Sequence, residues 1–389
     1  MAARALRIVI ATVQVPFVRG GAEVHAEGLA NALNRAGHRA EIVAIPFKWY
    51  PPERIPEQML ACRLLDLTES SGRPIDRLIG LRFPAYLIPH PHKILWILHQ
   101  HRTAYDLWDT PLNDLKPFAN GLAIRDAIHC ADGRHLPEAK AIYTNSHNVS
   151  RRLKTFCGLD STPLYHPPPN AEAFYSAEAE DYVFFPSRIN RTKRQHLVLE
   201  ALAATEEPVV LRIAGVSDDE GYGRELKTTA ERLALGDRLQ WLGEISEEEK
   251  RHQYAHSLGV VYPPVDEDLG YVTLEAMLAA KPVVTCVDSG GPLEFIADHH
   301  SGMVVAPEPR ALAAALDTLW RQRGLAATWG RAALAAYRER RISWETVVEV
   351  LTRCTPCPAS TGFPPCRRRP RTSATTPGGC CPTSPGGQR

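Results

Sequence analysis

The sequence predicts an α/β protein made of two doubly wound halves, and three observations carry that prediction. An apolar strand, a helix with one apolar stripe and a second strand open the chain. The same strand–helix alternation restarts at Tyr182 and supplies six further strands. Between the halves lies a proline-rich segment with no apolar period.

Residues 6–13 form the first apolar run, and a loop ending Arg19-Gly20-Gly21 follows it. A helix is expected over about 22–36, because Ala22, Ala26, Leu29, Leu33 and Ala36 share one face and Gly37 stops it. Residues 39–45 read as the second strand, which completes a βαβ unit. It is not a dinucleotide fingerprint, since the G-x-G-x-x-G series is absent. Residues 47–92, rich in Pro and aromatics, give no assignable period. KILWILHQH (93–101) reads as a buried strand ending in two histidines, and AIYTNS (141–146) as another, with a helix to about residue 156.

HPPPN (166–170) is a stiff extended spacer. The strands expected after it are 182–187, 209–215, 238–243, 259–264, 282–287 and 302–306. Short helices separate them, one opened by the capping box Ser246-Glu-Glu-Glu249. This gives a first domain at 1–167, a linker at 168–181, a second domain at 182–342 and a last helix at 343–352. In such sheets ligands bind beyond the carboxyl ends of the strands, so two facing domains imply a central cleft.

From residue 353 to 389 the chain is mostly Pro, Thr, Gly, Arg, Ser and Cys without a single acid. Such a segment buries too little to offset its ordering entropy, and disorder is expected. A shifted reading frame is one explanation for so abrupt a change. Five of the nine cysteines fall there, and Cys354-x-x-Cys357 has no following His at zinc-finger spacing. The other four stand singly, as in a reduced compartment. A net charge of +1 argues against a nucleic-acid surface. No run is long enough to span a bilayer, and Gln14 and Pro16 interrupt the only signal-like stretch, so the expected location is cytoplasmic.

Two clusters carry chemistry. In DEDLGYVTLEAMLAAKPVVT (266–285), Glu267 precedes and Glu275 lies within a helix opened by Gly270. Paired carboxylates suit a ligand rich in hydroxyls, and a helix N-terminus suits an anion. In FPSRINRTKRQHL (185–197), Arg188 and Lys193 flank a loop and can reach one diphosphate. Each cluster alone is also compatible with a solvated helix start. Gly20-Gly21 allows close backbone approach to a ligand, or is simply a tight turn.

The first cluster resembles the donor-binding signature of the retaining glycosyltransferases of family 4, which have the GT-B fold. Glu267, Gly270, Glu275, Ala276 and Met277 match in register, whereas Asp268 replaces a usual glycine and Leu269 and Tyr271 flank Gly270. Arg188 and Lys193 match the family's second signature, with Ser187 at its glycine. Gly20 to Glu23 resembles the Gly-Gly loop, and Gly290-Gly291-Pro292-x-Glu294 a loop after the Pro-Val-Val strand. The resemblance covers roughly residues 6–350 and is weaker in the first domain.

It implies a GT-B enzyme with two Rossmann-like domains facing a central cleft, the first for the acceptor and the second for the nucleotide sugar. A hexose would pass from a nucleoside-diphosphate sugar to a saccharide or lipid-linked acceptor, as in surface polysaccharide synthesis. Glu275 would hold the ribose and Glu267 the sugar hydroxyls. Arg188 and Lys193 would hold the diphosphate without a metal, and Gly20, Gly21, Gly270 and Tyr271 would line the donor site. His101 would stand beside the transferred sugar, with His99, Tyr105, Asp106 and Trp108 on the acceptor side and Asn145 and Ser146 as weaker candidates. No cofactor is expected. A lipid-linked acceptor would bring peripheral contact with the inner face of the membrane, through Phe47-Lys48-Trp49-Tyr50 and Arg54. The alternatives are a non-catalytic nucleotide-sugar-binding subunit and a sugar-nucleotide epimerase of the same architecture.

Overall fold

The computed structural model describes residues 4–353. The tail expected to be disordered lies, but for Arg353, outside the described residues. The first half runs β1 (Arg7–Gln14), α1 (Gly21–Arg35), β2 (Arg39–Pro46), α2 (Arg54–Leu64), β3 (Glu69–Ser70), β4 (Arg73–Pro74) and β5 (Arg77–Arg82). It continues with β6 (Lys93–His99), α3 (Gly121–His135), β7 (Ala141–Thr144), α4 (His147–Cys157) and β8 (Thr162–Pro163). Six of these strands form one parallel sheet in the order β2-β1-β5-β6-β7-β8, and β3 and β4 form a separate antiparallel hairpin.

A parallel sheet is covered on both faces, so residues of its inner strands alternate between two cores. In β6, Ile94 and Trp96 enter one cluster with Leu29 of α1, while Leu95 and Ile97 enter the other with Ile124 and Ile128 of α3. Ser146 caps α4 by accepting from the Val149 N–H at 3.0 Å, and Gly158 in a left-handed conformation ends it.

The second half runs β9 (Tyr182–Pro186), α5 (Gln195–Ala203), β10 (Val210–Ala214), α6 (Glu220–Arg232), β11 (Leu239–Gly243), α7 (Glu247–His256) and β12 (Gly259–Val261). It ends with α8 (Tyr271–Leu278), β13 (Val283–Cys286), β14 (Gly302–Val305), α9 (Pro309–Arg321) and α10 (Arg323–Glu339). Its parallel sheet has the order β11-β10-β9-β12-β13-β14, the doubly wound arrangement. Helix α11 (Trp344–Thr352) then crosses back, and Val347, Val348 and Leu351 pack beside Ile8, Ile10 and Leu29 of the first half. A Cβ on Gly28 would lie 2.5 Å from the Trp344 ring, so that glycine gives α11 its seat on α1.

Candidate active site

Each sheet reverses its winding beside its first strand: between β1 and β5 in the first, and between β9 and β12 in the second. The loops leaving these strands face one another across a cavity of about 310 Å³. Val15, Val18, the run Gly20 to Glu23, Arg82 and His99 line it from the first sheet. Ser187, Arg188, Lys193, Tyr262 and the segment from Glu267 to Val272 line it from the second. The cleft therefore lies where open α/β sheets bind ligands.

Gly270 takes φ +81°, a conformation that favours glycine, and turns the chain into α8. The first N–H groups of that helix have no partner within it and leave partial positive charge at the cavity. Lys193 donates to the Tyr262 hydroxyl at 2.9 Å and forms an ion pair with Glu267. The neighbouring Glu267 and the burial of the ring both raise the Tyr262 pKa, burial most. Arg188 is half exposed and reaches Asp218 at 3.1 Å. Cβ atoms built on Gly20 and Gly21 would lie 3.8 Å from the Arg188 guanidinium carbon and 3.5 Å from the Tyr271 ring. The Gly-Gly loop of the first domain thus faces the cation and the helix start of the second.

Glu275 is buried, 5% exposed, and does not line the cavity. Its carboxylate accepts from Lys250 Nζ at 3.0 Å and from the Tyr254 hydroxyl at 2.7 Å. Glu267 before α8 and Glu275 within it therefore have different partners, rather than sharing one open rim. Asp268 lines the cavity but is held by Arg152 of α4, whose Nη1 lies 2.8 Å from Oδ1. Burial pushes its carboxyl up, but Arg152 and then Arg102 overcome this and hold it at about 2.

The two histidines exchange places relative to the sequence reading. His99 lines the cleft, while His101 lies in a second cavity of about 280 Å³ with Trp49, Tyr50, Ile55, Asp114, Leu115 and Phe118. Strand β6 ends at His99, and His101 already caps a 3-10 turn, so the rule that alternate residues share a face no longer applies. Its ring packs against Phe83 with centroids 5.3 Å apart, and burial lowers its pKa to about 4. Burial also lowers the pKa of His99. His99 Nδ1 donates to the Gln100 carbonyl at 2.7 Å, which leaves Nε2 as an acceptor.

Tyr105 and Trp108 are buried and do not line the cleft. The Tyr105 hydroxyl donates to Asp132 at 2.8 Å beside that of Tyr86 at 2.9 Å, and its ring stacks on His129. Burial raises Asp132 to about 7 against these donors. Trp108 lies under Arg125, and Asp106 is taken up by Arg102 at 2.7 Å. Tyr105 and Trp108 belong to the first domain's core, because the 3-10 turn after β6 folds them back onto α3, while Asp106 stays part-buried in its ion pair. Asn145 lines the cleft, and Ser146 serves α4 as its cap.

Some lining residues gave no usable sequence signal. Arg82, at the end of β5, pairs with Glu23 at 2.7 Å, and β5 itself lies in the stretch that could not be assigned. His25 of α1 and His166, just before the three prolines, approach at 2.9 Å, and His166 Nδ1 lies 3.2 Å from the Tyr271 hydroxyl.

This architecture is GT-B, a pair of Rossmann-like domains around a cleft. It superposes on sucrose-phosphate synthase from Thermosynechococcus elongatus with a TM-score of 0.72 at 17% identity, over 89% of this chain and 97% of that one. HepE from Anabaena, solved with UDP and glucose, gives 0.65 at 17% identity over 89% and 98%. Residues 170–335 match the family described as Glycosyl transferases group 1. Human alpha-1,3/1,6-mannosyltransferase ALG2 is 34% identical over 181 residues, 43% of each protein. The chain thus spans less than half the length of that relative. D-inositol 3-phosphate glycosyltransferase from Geodermatophilus obscurus is 27% identical over 345 residues, 80% of this chain and 73% of the relative.

Proposed function

We propose that this protein is a glycosyltransferase that moves a hexose from a nucleoside-diphosphate sugar to a saccharide or lipid-linked saccharide, retaining anomeric configuration, in surface polysaccharide synthesis. One observation carries the reading: Arg188, Lys193, Glu267 and the start of α8 line a single cavity. The names of the relatives and the UDP held by HepE support a nucleotide-sugar donor.

In this reading Arg188, Lys193 and the α8 N–H groups offset the charge that grows on the leaving diphosphate. Lys193 must then exchange Glu267 for phosphate, which frees Glu267 for sugar hydroxyls. Glu275 holds the ribose; its carboxylate offers about four acceptor sites, and Lys250 and Tyr254 use two. His99, not His101, stands nearest the transferred sugar, with Nε2 able to accept from a hydroxyl.

Incubation of the full chain with a panel of nucleoside-diphosphate hexoses and saccharide acceptors should release diphosphate only when acceptor is present. Because side-chain cations hold the diphosphate, release should persist in EDTA. Conversion of donor without acceptor would mean epimerase chemistry, and loss of release in EDTA restored by magnesium would mean a metal holds the diphosphate.

No helix among the described residues is long and apolar enough to cross a membrane. Contact with a lipid surface would run through Lys48, Trp49 and Tyr50, since Trp49 and Tyr50 are 37% and 55% exposed whereas Phe47 is buried. Liposomes containing anionic lipid should sediment the wild type and leave a Lys48→Glu, Trp49→Ser variant in solution. Equal sedimentation of both would remove this patch.

A further inference from the structure

The two domains are tied together beside the cleft by contacts that converge on the segment 266–268. Arg152 of α4, in the first domain, places Nη1 2.8 Å from Asp268 Oδ1 and Nε 3.2 Å from Asp266 Oδ2. Its Nη2 donates to the Asp266 carbonyl at 2.9 Å. Asn148, one turn earlier, donates to Asp266 Oδ1 at 2.6 Å and to the Glu267 carbonyl at 2.8 Å. From the second domain, Glu294 accepts from the His147 and Asn148 N–H groups at 3.0 and 2.7 Å, at the positive end of α4. It also accepts from the Tyr165 hydroxyl at 2.5 Å. The fit is close: a Cβ on Gly290 would lie 2.5 Å from Asn148 Nδ2 and 2.7 Å from the Glu267 carbonyl oxygen.

Arg152 is buried, and the Asp268 side chain is only 19% exposed. Taking both charges from water offsets most of their attraction, so such a pair adds little net stability. It is selective about geometry, however, because a buried charge left without its partner is costly. The pair forms only when α4 and segment 266–268 are in register. A glycine at position 268, as in the signature this run resembles, has no side chain with which to reach α4.

We propose that Asp268 and Arg152 form a clasp between the domains that fixes their closed register and so positions Glu267 at the cleft. The inference rests on the reading of the cleft as a donor site for its kinetic consequence, but not for the clasp itself. Asp268 is in this view a positioning residue. Its carboxylate faces α4, and the reacting groups remain Glu267 and the cations.

The test uses the full chain with Asp268→Gly, Arg152→Ala and the double variant. Small-angle X-ray scattering without ligand should show each variant more open than the wild type. Turnover should fall about tenfold, while nucleoside diphosphate affinity stays within about threefold, because Arg188, Lys193 and Glu275 are untouched. Both substitutions remove the Asp268–Arg152 contact, and Arg152→Ala also removes those to Asp266, so the double variant should be no worse than Arg152→Ala. Scattering like the wild type with turnover within twofold for Asp268→Gly would overturn the clasp, as would effects that multiply in the double variant. If Arg152→Ala does not fold, Asp268→Asn, which keeps the shape and removes the charge, takes its place and should open the protein in the same way. A wild type that binds no nucleoside diphosphate defeats the donor reading, while the scattering comparison still decides the clasp.

Discussion

Glu267→Gln should lower turnover by about 10²–10³-fold, the effect of removing one preorganised group that acts on charge developing in the transition state. Nucleoside diphosphate affinity should stay the same or improve. The reason is the ion pair: Glu267 occupies Lys193 in the empty cleft, and a diphosphate must displace it. A neutral glutamine competes less for the ammonium. Glu275→Gln should behave differently. Ribose hydroxyls are present in both donor and product, so binding of both should weaken by about 1.5–3 kcal/mol, the worth of a hydrogen bond to a charged group. Titration of both variants with free diphosphate, paired with kcat, separates the roles. If Glu267→Gln loses the diphosphate as badly as Glu275→Gln, the assignment is wrong.

Lys193→Met should weaken nucleoside diphosphate binding by roughly 10- to 100-fold, equivalent to about 1.4–2.8 kcal/mol. Its side chain is 12% exposed, so the phosphate contact forms largely out of water and should depend little on salt. Arg188 is 47% exposed, and Arg188→Met should cost less and lose its effect as ionic strength rises. Affinity measured at two salt concentrations gives both answers. Equal salt dependence for the two variants would contradict the burial argument.

The fold class was legible because its evidence is local. Strands such as YVFFP and KILWILH are continuous apolar runs, and α1 carries an apolar stripe. Strand β5 was not legible. It has six residues, charged at both ends and interrupted by Gly80, and its Arg77 is taken up by the Leu351 carbonyl of the distant α11. The charged residues at 188, 193 and 267 converge in space because each sits on a loop after a strand, which periodicity can locate. His101 misled for the converse reason: its face depends on where β6 stops, and a strand end shifts by one or two residues without any change in apolar pattern. Tyr105 and Trp108 follow the same error, since the 3-10 turn directs them to α3. The contact between Asp268 and Arg152 joins residues 116 positions apart, and no sequence period reports it.

The central claim is that the cleft between the two switch points binds a nucleoside diphosphate through Arg188 and Lys193. Calorimetric titration of the full chain with UDP, GDP and ADP tests it most directly, beside a variant carrying both Arg188→Met and Lys193→Met. The account predicts a single site per chain for at least one of the three nucleotides, and no detectable heat from that nucleotide with the double variant of undiminished thermal stability. No binding of any nucleotide by the wild type, or equal affinity in the double variant, would contradict it.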